Sequence, residues 1–249
     1  MNIYDSLPKL NLETCHRLLC VQPHPDDNEV GAGATIAKLT RVGCEVVYLT
    51  VTDGRLGSTD PSVNPGELIR TRRRETEASA GVLGVSRTLY LDYADASYPD
   101  EKELSTKIVS VIRSVQPELV MTVDPFLPYE AHPDHRRVGM AVSESVLFAS
   151  FPHFDSMQGQ PVLAPWQVGG IAYYNTAYPN TFIDVDQTWD RKLKALAAHS
   201  SQFSGEYANL VKLYLEFKAR QYAEGKGFIY AEAFKVLPAM FLHGMVDAV

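Results

Sequence analysis

Cysteine is scarce in this 249-residue sequence: Cys15, Cys20 and Cys44 are an odd number with no C-x-x-C pair, so neither a disulfide framework nor a cysteine-based zinc finger is expected. Long hydrophobic runs are missing too, since no stretch approaches the roughly 18 apolar residues of a membrane span. The opening Met1-Asn2-Ile3-Tyr4-Asp5 lacks the basic and apolar regions of a signal peptide, and a cytoplasmic protein with no membrane partner is expected. Basic charge is in deficit. A net charge of −7 opposes attraction to phosphate backbones and anionic lipid, so nucleic acid is not an expected partner. No G-x-S-x-G elbow occurs, which disfavours a serine hydrolase. Internal repeats and low-complexity tracts are also absent.

What is present is 45% hydrophobic content, arranged as short β-branched runs alternating with longer amphipathic ones. Strands are expected over 17–22, 45–51, 88–91 and 119–123, and helices over 28–42, 66–83, 101–114 and from about 133 to 149. Gly84 stands where a helix C-cap belongs. Residues 151–165 are Pro- and Gly-punctuated and irregular; beyond them strands over 170–174 and 181–185 and helices over 190–198 and 207–223 are expected. Four strand-helix units in series imply an α/β fold with a Rossmann-like, doubly wound, mostly parallel sheet in one domain, 1–249. Its core sheet and site would lie in 17–150, with 151–249 adding a substrate- and oligomer-forming region.

Four polar clusters follow expected strands: His24-Pro25-Asp26-Asp27, Thr52-Asp53-Gly54, the loop holding Asp92 and Asp95, and His132-Pro133-Asp134-His135. In such a sheet they converge on the carboxyl rim, where ligands bind. Asp53 or Asp92 alone reads as ordinary turn and cap chemistry. A cap does not require a His two residues before its Asp, however. His24 and Asp27, three apart at a helix start, are able to aim a ring nitrogen and a carboxylate oxygen at one point, and His132 and His135 repeat the offset, each motif carrying Pro at the expected first helical position. Two imidazoles and one carboxylate, with a fourth position left to water, make a catalytic zinc arrangement.

The stretches His24-Pro25-Asp26-Asp27-Asn28-Glu29-Val30-Gly31-Ala32-Gly33-Ala34-Thr35 and His132-Pro133-Asp134-His135 resemble the signature of the LmbE/PIG-L zinc-dependent deacetylases, and the likeness covers the first 150 residues. The resemblance implies Zn²⁺ held by His24, Asp27 and His135, with Asp26 as general base and His132 assisting at the oxyanion. It implies release of acetate from an N-acetylglucosamine-containing sugar. Asn28 stands where most members have Glu, and Ala34 replaces a Gly. The departure at Asn28 leans toward the diacetylchitobiose deacetylase branch, which implies that Arg72 and Asp95 contact the sugar and that His243 reaches an active site. GlcNAc-malate or GlcNAc-inositol precursors of thiol cofactors are the alternative substrates.

Competing readings fare worse. After Gly31-x-Gly33 comes Ile36 where a dinucleotide fingerprint needs Gly or Ala, and Asp26 and Asp27 would face a pyrophosphate. A non-catalytic sugar-binding protein has no use for Asp26. The run Arg70 to Arg74 reads as a solvated helix face paired with Glu67, Glu75 and Glu77, apart from Arg72. Trp166, Tyr173, Tyr174, Tyr178 and Phe203 read as core more readily than as a sugar-stacking wall. The aromatic-rich 151–185 segment and the apolar run from Phe234 to Val246 are expected to be covered in a homo-oligomer, a trimer or hexamer by the same resemblance.

Overall fold

The computed structural model describes residues 10–97, 100–154 and 163–246. The alternating runs become β1 (Arg17–Gln22), α1 (Asp27–Arg41), β2 (Glu45–Thr52), α2 (Pro65–Leu83), β3 (Arg87–Tyr93), α3 (Glu101–Val115), β4 (Leu119–Val123) and α4 (Pro133–Phe148). Then follow β5 (Gly170–Tyr174), β6 (Thr181–Asp184), α5 (Trp189–Ala198), α6 (Gly205–Ala223) and β7 (Ala231–Pro238). Local chemistry sets the ends of α2: Asn64 accepts the Glu67 amide at 3.1 Å, Pro65 occupies the first turn, and Gly84 closes the helix at φ 82°. Of the connection expected to be irregular, 151–165, residues 155–162 lie outside the described residues, as does Met1-Asn2-Ile3-Tyr4-Asp5.

The seven strands among the described residues share one sheet, in the order β3-β2-β1-β4-β5-β7-β6. The pairs from β3 to β5 are parallel and β7 runs antiparallel between β5 and β6. This is the doubly wound sheet expected, with its switch point between β1 and β4. Alternate strand residues face opposite layers. Leu18, Cys20, Tyr48, Met121 and Tyr174 pack under the α1, α5 and α6 side, while Leu19, Val21, Val47, Leu49 and Tyr173 pack under α3 and α4. No helix among the described residues is long and apolar enough to cross a membrane.

The strand β7 was not expected from the sequence and alters two readings. Phe234 and Val236, part of the apolar run assigned to an oligomer contact, are buried in the chain's own sheet; Met240, Met245 and Val246 beyond them are exposed. Because β7 is antiparallel, Pro238 pairs with Gly170 at the start of β5. The following short 3-10 turn, Ala239–Leu242, and His243 therefore lie at the amino edge of the parallel strands, opposite the carboxyl rim. Of the aromatic set, Tyr173 and Tyr174 are core, Trp166 and Phe203 pack against it, and Tyr178 is exposed.

Candidate active site

β1 and β4 end side by side, and their following loops carry the two histidine motifs together. Asp26 is the N-cap of α1 at φ 115°, a left-handed conformation that strains a non-glycine residue. Its side chain makes no cap hydrogen bond. Pro25 thus precedes the N-cap instead of opening the helix, contrary to the sequence reading, because the tight Asp26 turn intervenes. In the second motif Pro133 does open α4, and His132 caps it through Nδ1, which accepts the Asp134 amide at 3.3 Å.

The strained turn brings Asp27 back onto His24. Asp27 Oδ2 accepts the His24 backbone amide at 2.8 Å and lies 3.3 Å from His24 Nδ1, while Asp27 Oδ1 lies 3.3 Å from His135 Nε2. One nitrogen of each ring and one carboxylate oxygen of Asp27 fall within 4.8 Å of one another. The far nitrogens are also held: His24 Nε2 is 3.2 Å from Asp134 Oδ2, and His135 Nδ1 is 2.9 Å from Glu130 Oε2. Imidazoles that ligate metals have their second nitrogen engaged in this way, which fixes tautomer and ring orientation. A second triplet, His24, His132 and Asp134, meets the same distance limit. There Asp134 Oδ2 already accepts the Ala96 amide at 2.8 Å, and His132 Nδ1 is taken by the Asp134 amide.

The close carboxylates and imidazoles shift one another's pKa. Burial opposes charge on His24, but hydrogen bonds with Asp134 and Asp27 prevail and push it up to about 10. Burial likewise opposes charge on His135, and the Asp27 carboxylate overrides it, raising it to about 9. Burial acts to raise Asp27, yet His135 and His24 hold its carboxyl well below the usual range. His132 moves the other way, lowered by burial and by the charges of His24 and His135. A neutral His132 whose Nδ1 accepts an amide carries its proton on Nε2, free to donate.

Asp26 sits beside this donor set. Burial raises its carboxyl to about 6 against the opposing charge of Arg72. Arg72, buried on α2, donates to Asp26 Oδ2 at 3.0 Å, to Pro25 O at 2.6 Å and to Gly54 O at 3.1 Å. Asp95 is buried nearby, its two oxygens accepting the amides of Gly54 and Leu56 at 2.9 Å each. Both residues expected to touch substrate are thus spent in large part on holding the β2–α2 loop and Asp26. Asp53 pairs with Arg55, and Asp92, exposed, pairs with Arg73, in line with their bland readings. Glu75 does not pair with the arginine run: it is buried and accepts from Ser200 and Ser201. His243 is exposed at the opposite edge of the sheet, so the chain's own site does not include it.

Sequence reading missed the roles of Glu130 and Asp134. The signal was available in principle, since each ligating imidazole needs a partner for its second nitrogen, and Asp134 lies within the second motif and Glu130 two residues before it. It also missed a buried pair under Asp26, where His199 Nε2 lies 3.6 Å from Glu29 Oε2 and Ser79 donates to Glu29 Oε1 at 2.8 Å. Those partners come from α1, α2 and the end of α5, and no sequence spacing links them.

Fold and site define a Rossmann-like α/β protein with a metal-competent centre of two histidines and one carboxylate at the sheet's switch point. Residues 19–146 match the PIG-L family, described as GlcNAc-PI de-N-acetylase. The chain belongs to that family. It is 41% identical over 227 residues to the diacetylchitobiose deacetylase of Thermococcus kodakarensis, covering 91% of this chain and 85% of that one. Similarity to the 1D-myo-inositol 2-acetamido-2-deoxy-alpha-D-glucopyranoside deacetylase of Kineococcus radiotolerans is 30% identity over 64% of this chain and 52% of that one. Among solved structures, the N,N'-diacetylchitobiose deacetylase of Pyrococcus horikoshii, complexed with its inhibitor MPG, superposes with a TM-score of 0.89 at 38% identity, covering 96% of this chain and 90% of that one.

Proposed function

We propose that this protein is a zinc-dependent deacetylase that hydrolyses the N-acetyl group of an N-acetylglucosamine-containing sugar, with diacetylchitobiose as the preferred substrate. The observation that carries the reading is the strained, largely buried Asp26 carboxylate, held by Arg72 beside the His24–Asp27–His135 donor set. Similarity at 41% identity to a diacetylchitobiose deacetylase favours that sugar over the inositol conjugate, since the similar deacetylase that acts on the latter is 30% identical over less of the chain.

His24, Asp27 and His135 would hold the ion, and their donor chemistry suits zinc: two imidazole nitrogens and one carboxylate oxygen, each imidazole oriented by a further carboxylate. Zinc in such a site supplies Lewis acidity toward the acetamide carbonyl and makes water near pH 7 a competent nucleophile. Asp26 accepts the proton of the water that adds to the acetamide carbon. The carbonyl oxygen gains negative charge as it does so, and His132 Nε2–H donates a hydrogen bond to it, a contact of a kind worth about 3 kcal/mol in the transition state. The C–N bond then breaks and the nitrogen leaves as an amine after taking back a proton from Asp26. Acetate and a free amino sugar result. Arg72 keeps Asp26 aimed, and Arg72 and Asp95 shape the wall against which sugar hydroxyls lie.

The test is acetate release from diacetylchitobiose by wild type and Asp26→Asn. Asparagine tolerates the left-handed backbone and matches the shape of aspartate, so the variant keeps its fold and its metal. Activity is expected to fall by about 10²–10⁴-fold. Full activity in the variant removes Asp26 from the mechanism.

A further inference from the structure

Directly after α5 comes the turn His199-Ser200-Ser201-Gln202, which the chemistry derived above does not use. It is tightly wound. His199 O accepts the amides of both Gln202 and Phe203 at 2.9 Å, and the Phe203 ring packs against the core. The side chains of the turn therefore go to separate elements. His199 faces Glu29 on α1, Ser200 and Ser201 donate to Glu75 on α2, and the Gln202 amide reaches the β2–α2 loop. Glu75 follows Arg72 by three residues, so the turn grips the stretch of α2 from which Arg72 projects.

A continuous run of hydrogen bonds leads from Gln202 to the base. Gln202 Nε2 donates to Gly57 O at 3.2 Å, the Gly57 amide donates to Gly54 O at 3.2 Å, and Gly54 O also accepts Arg72 Nη1 at 3.1 Å. The other arm of the guanidinium, Nη2, donates to Pro25 O and Asp26 Oδ2. Glycine at 57 leaves room for the crossing, since a Cβ there would come within 2.6 Å of Arg72 Nη1 and 2.9 Å of Gln202 Oε1. Bonds in such a chain polarise and orient one another where water is excluded. Arg72 Nε is buried without a hydrogen-bond partner, so the two Nη groups alone set the direction of the guanidinium. Asp95 holds the Gly54–Gly57 turn by two amides, and Gln202 holds it by the carbonyl at its other end.

We infer that Gln202 is a positioning residue for the reaction: it fixes the Gly54–Gly57 turn so that the Arg72 guanidinium stays aimed at the Asp26 carboxylate. The consequence for catalysis rests on the deacetylase reading. The hold on Arg72 does not.

The experiment replaces Gln202, which is partly exposed, with methionine, which matches its length and cannot donate. Nitrogen-15 NMR reads the contact without substrate. A guanidinium held through both Nη groups turns slowly about its Cζ–N bonds and gives separate Nη signals; one released on one side gives a merged signal. The Arg72 signals, identified by their loss in Arg72→Lys, are expected to be resolved in wild type and merged in Gln202→Met. Signals resolved in both proteins, or merged in both, overturn the proposal.

In acetate release from diacetylchitobiose, Gln202→Met is expected to lose about tenfold in kcat, short of the roughly hundredfold that a displacement of about 1 Å costs. KM is expected to stay within about twofold of wild type, with metal content unchanged. Placed on Arg72→Lys, which keeps the charge and loses the planar fork, Gln202→Met is expected to cost nothing more. Losses that multiply, or a raised KM with normal kcat, overturn the proposal, because a general structural role or a sugar contact does not pass through Arg72. If wild type releases no acetate, the deacetylase reading fails, and the Arg72 signals alone decide whether Gln202 holds the guanidinium.

Discussion

Arg72 Nη2 lies 3.0 Å from Asp26 Oδ2, and this contact joins α2 to the strained turn that carries the base. Arg72 is nearly inaccessible and Asp26 almost so, with side-chain exposures of 4% and 14%. Breaking such a buried pair by removing one partner costs about 3–5 kcal/mol, because the charge left behind has no compensation.

Arg72→Ala is therefore expected to lower the melting temperature clearly and to reduce kcat more than it raises KM. The pH profile follows from the same pair. Burial already raises Asp26 to about 6, and Arg72 opposes that rise, so its removal raises the carboxyl further. The base works only when ionised, and activity is lost as pH falls through its pKa. The acid limb of kcat/KM should move to higher pH in Arg72→Ala. A raised KM with normal kcat and an unmoved limb would make Arg72 a sugar contact and nothing more.

Metal uptake should release protons. His24 and His135, raised to about 10 and 9, carry charge at neutral pH in the metal-free protein, and a metal ligand must be neutral. In the metal-free protein their pairing with carboxylates stabilises the fold below their unfolded pKa of about 6.5 and loses that effect as pH rises through 9 to 10. The metal acts in the opposite sense, because its competition with protons weakens as pH rises. The increase in melting temperature on adding zinc is thus expected to grow from about pH 6 to about pH 8.5. Calorimetry in buffers of different ionisation enthalpy should count close to two protons released at pH 7. Uptake without proton release would mean that other groups bind the ion.

The parts of this molecule legible from sequence are those set by local pattern. Alternating runs placed β1 through α4 to within two residues, and the i, i+3 offset between His24 and Asp27 brought their ligand atoms together as that spacing requires. β7 escaped because it is buried on both faces and mixes Glu232 and Lys235 into an apolar run, so no period-2 alternation marks it. Its antiparallel direction, which decides where His243 lies, is a matter of tertiary pairing. Arg72 was legible as a residue of interest but not as the partner of Asp26, since 46 residues separate them and only the sheet order brings α2 against the β1–α1 turn.

Glu130 gives a sharper test of how the site is held. Its Oε2 engages His135 Nδ1 at 2.9 Å while its Oε1 accepts the His132 amide at 2.8 Å, so one carboxylate orients both histidines of the second motif. Glu130→Gln keeps the shape and weakens the bond to His135. Metal affinity should fall by about 10–100-fold, the usual effect of losing an outer partner of a ligating histidine. Activity at saturating zinc should recover much of its loss. Unchanged affinity in a competition titration would show that His135 does not need this anchor.

His243 remains as a test of assembly. The antiparallel β7 sets it at the amino edge of the sheet, and β5 alone, five residues at about 3.3 Å each, separates that edge from the carboxyl rim by about 16 Å. Any catalytic effect of His243 therefore has to act on the site of another chain. The exposed Met240, Met245 and Val246 around it offer apolar surface for such a contact. If the chains assemble in this way, His243→Ala lowers activity without altering metal content, and mixing it with Asp26→Asn restores about a quarter of the wild-type rate, since random assembly joins an intact Asp26 to an intact incoming His243 at that frequency. Sedimentation of wild type should then show a closed oligomer. A monomer in sedimentation, or full activity in His243→Ala, removes His243 from the reaction and leaves the centre built on His24, Asp27 and His135 unaffected.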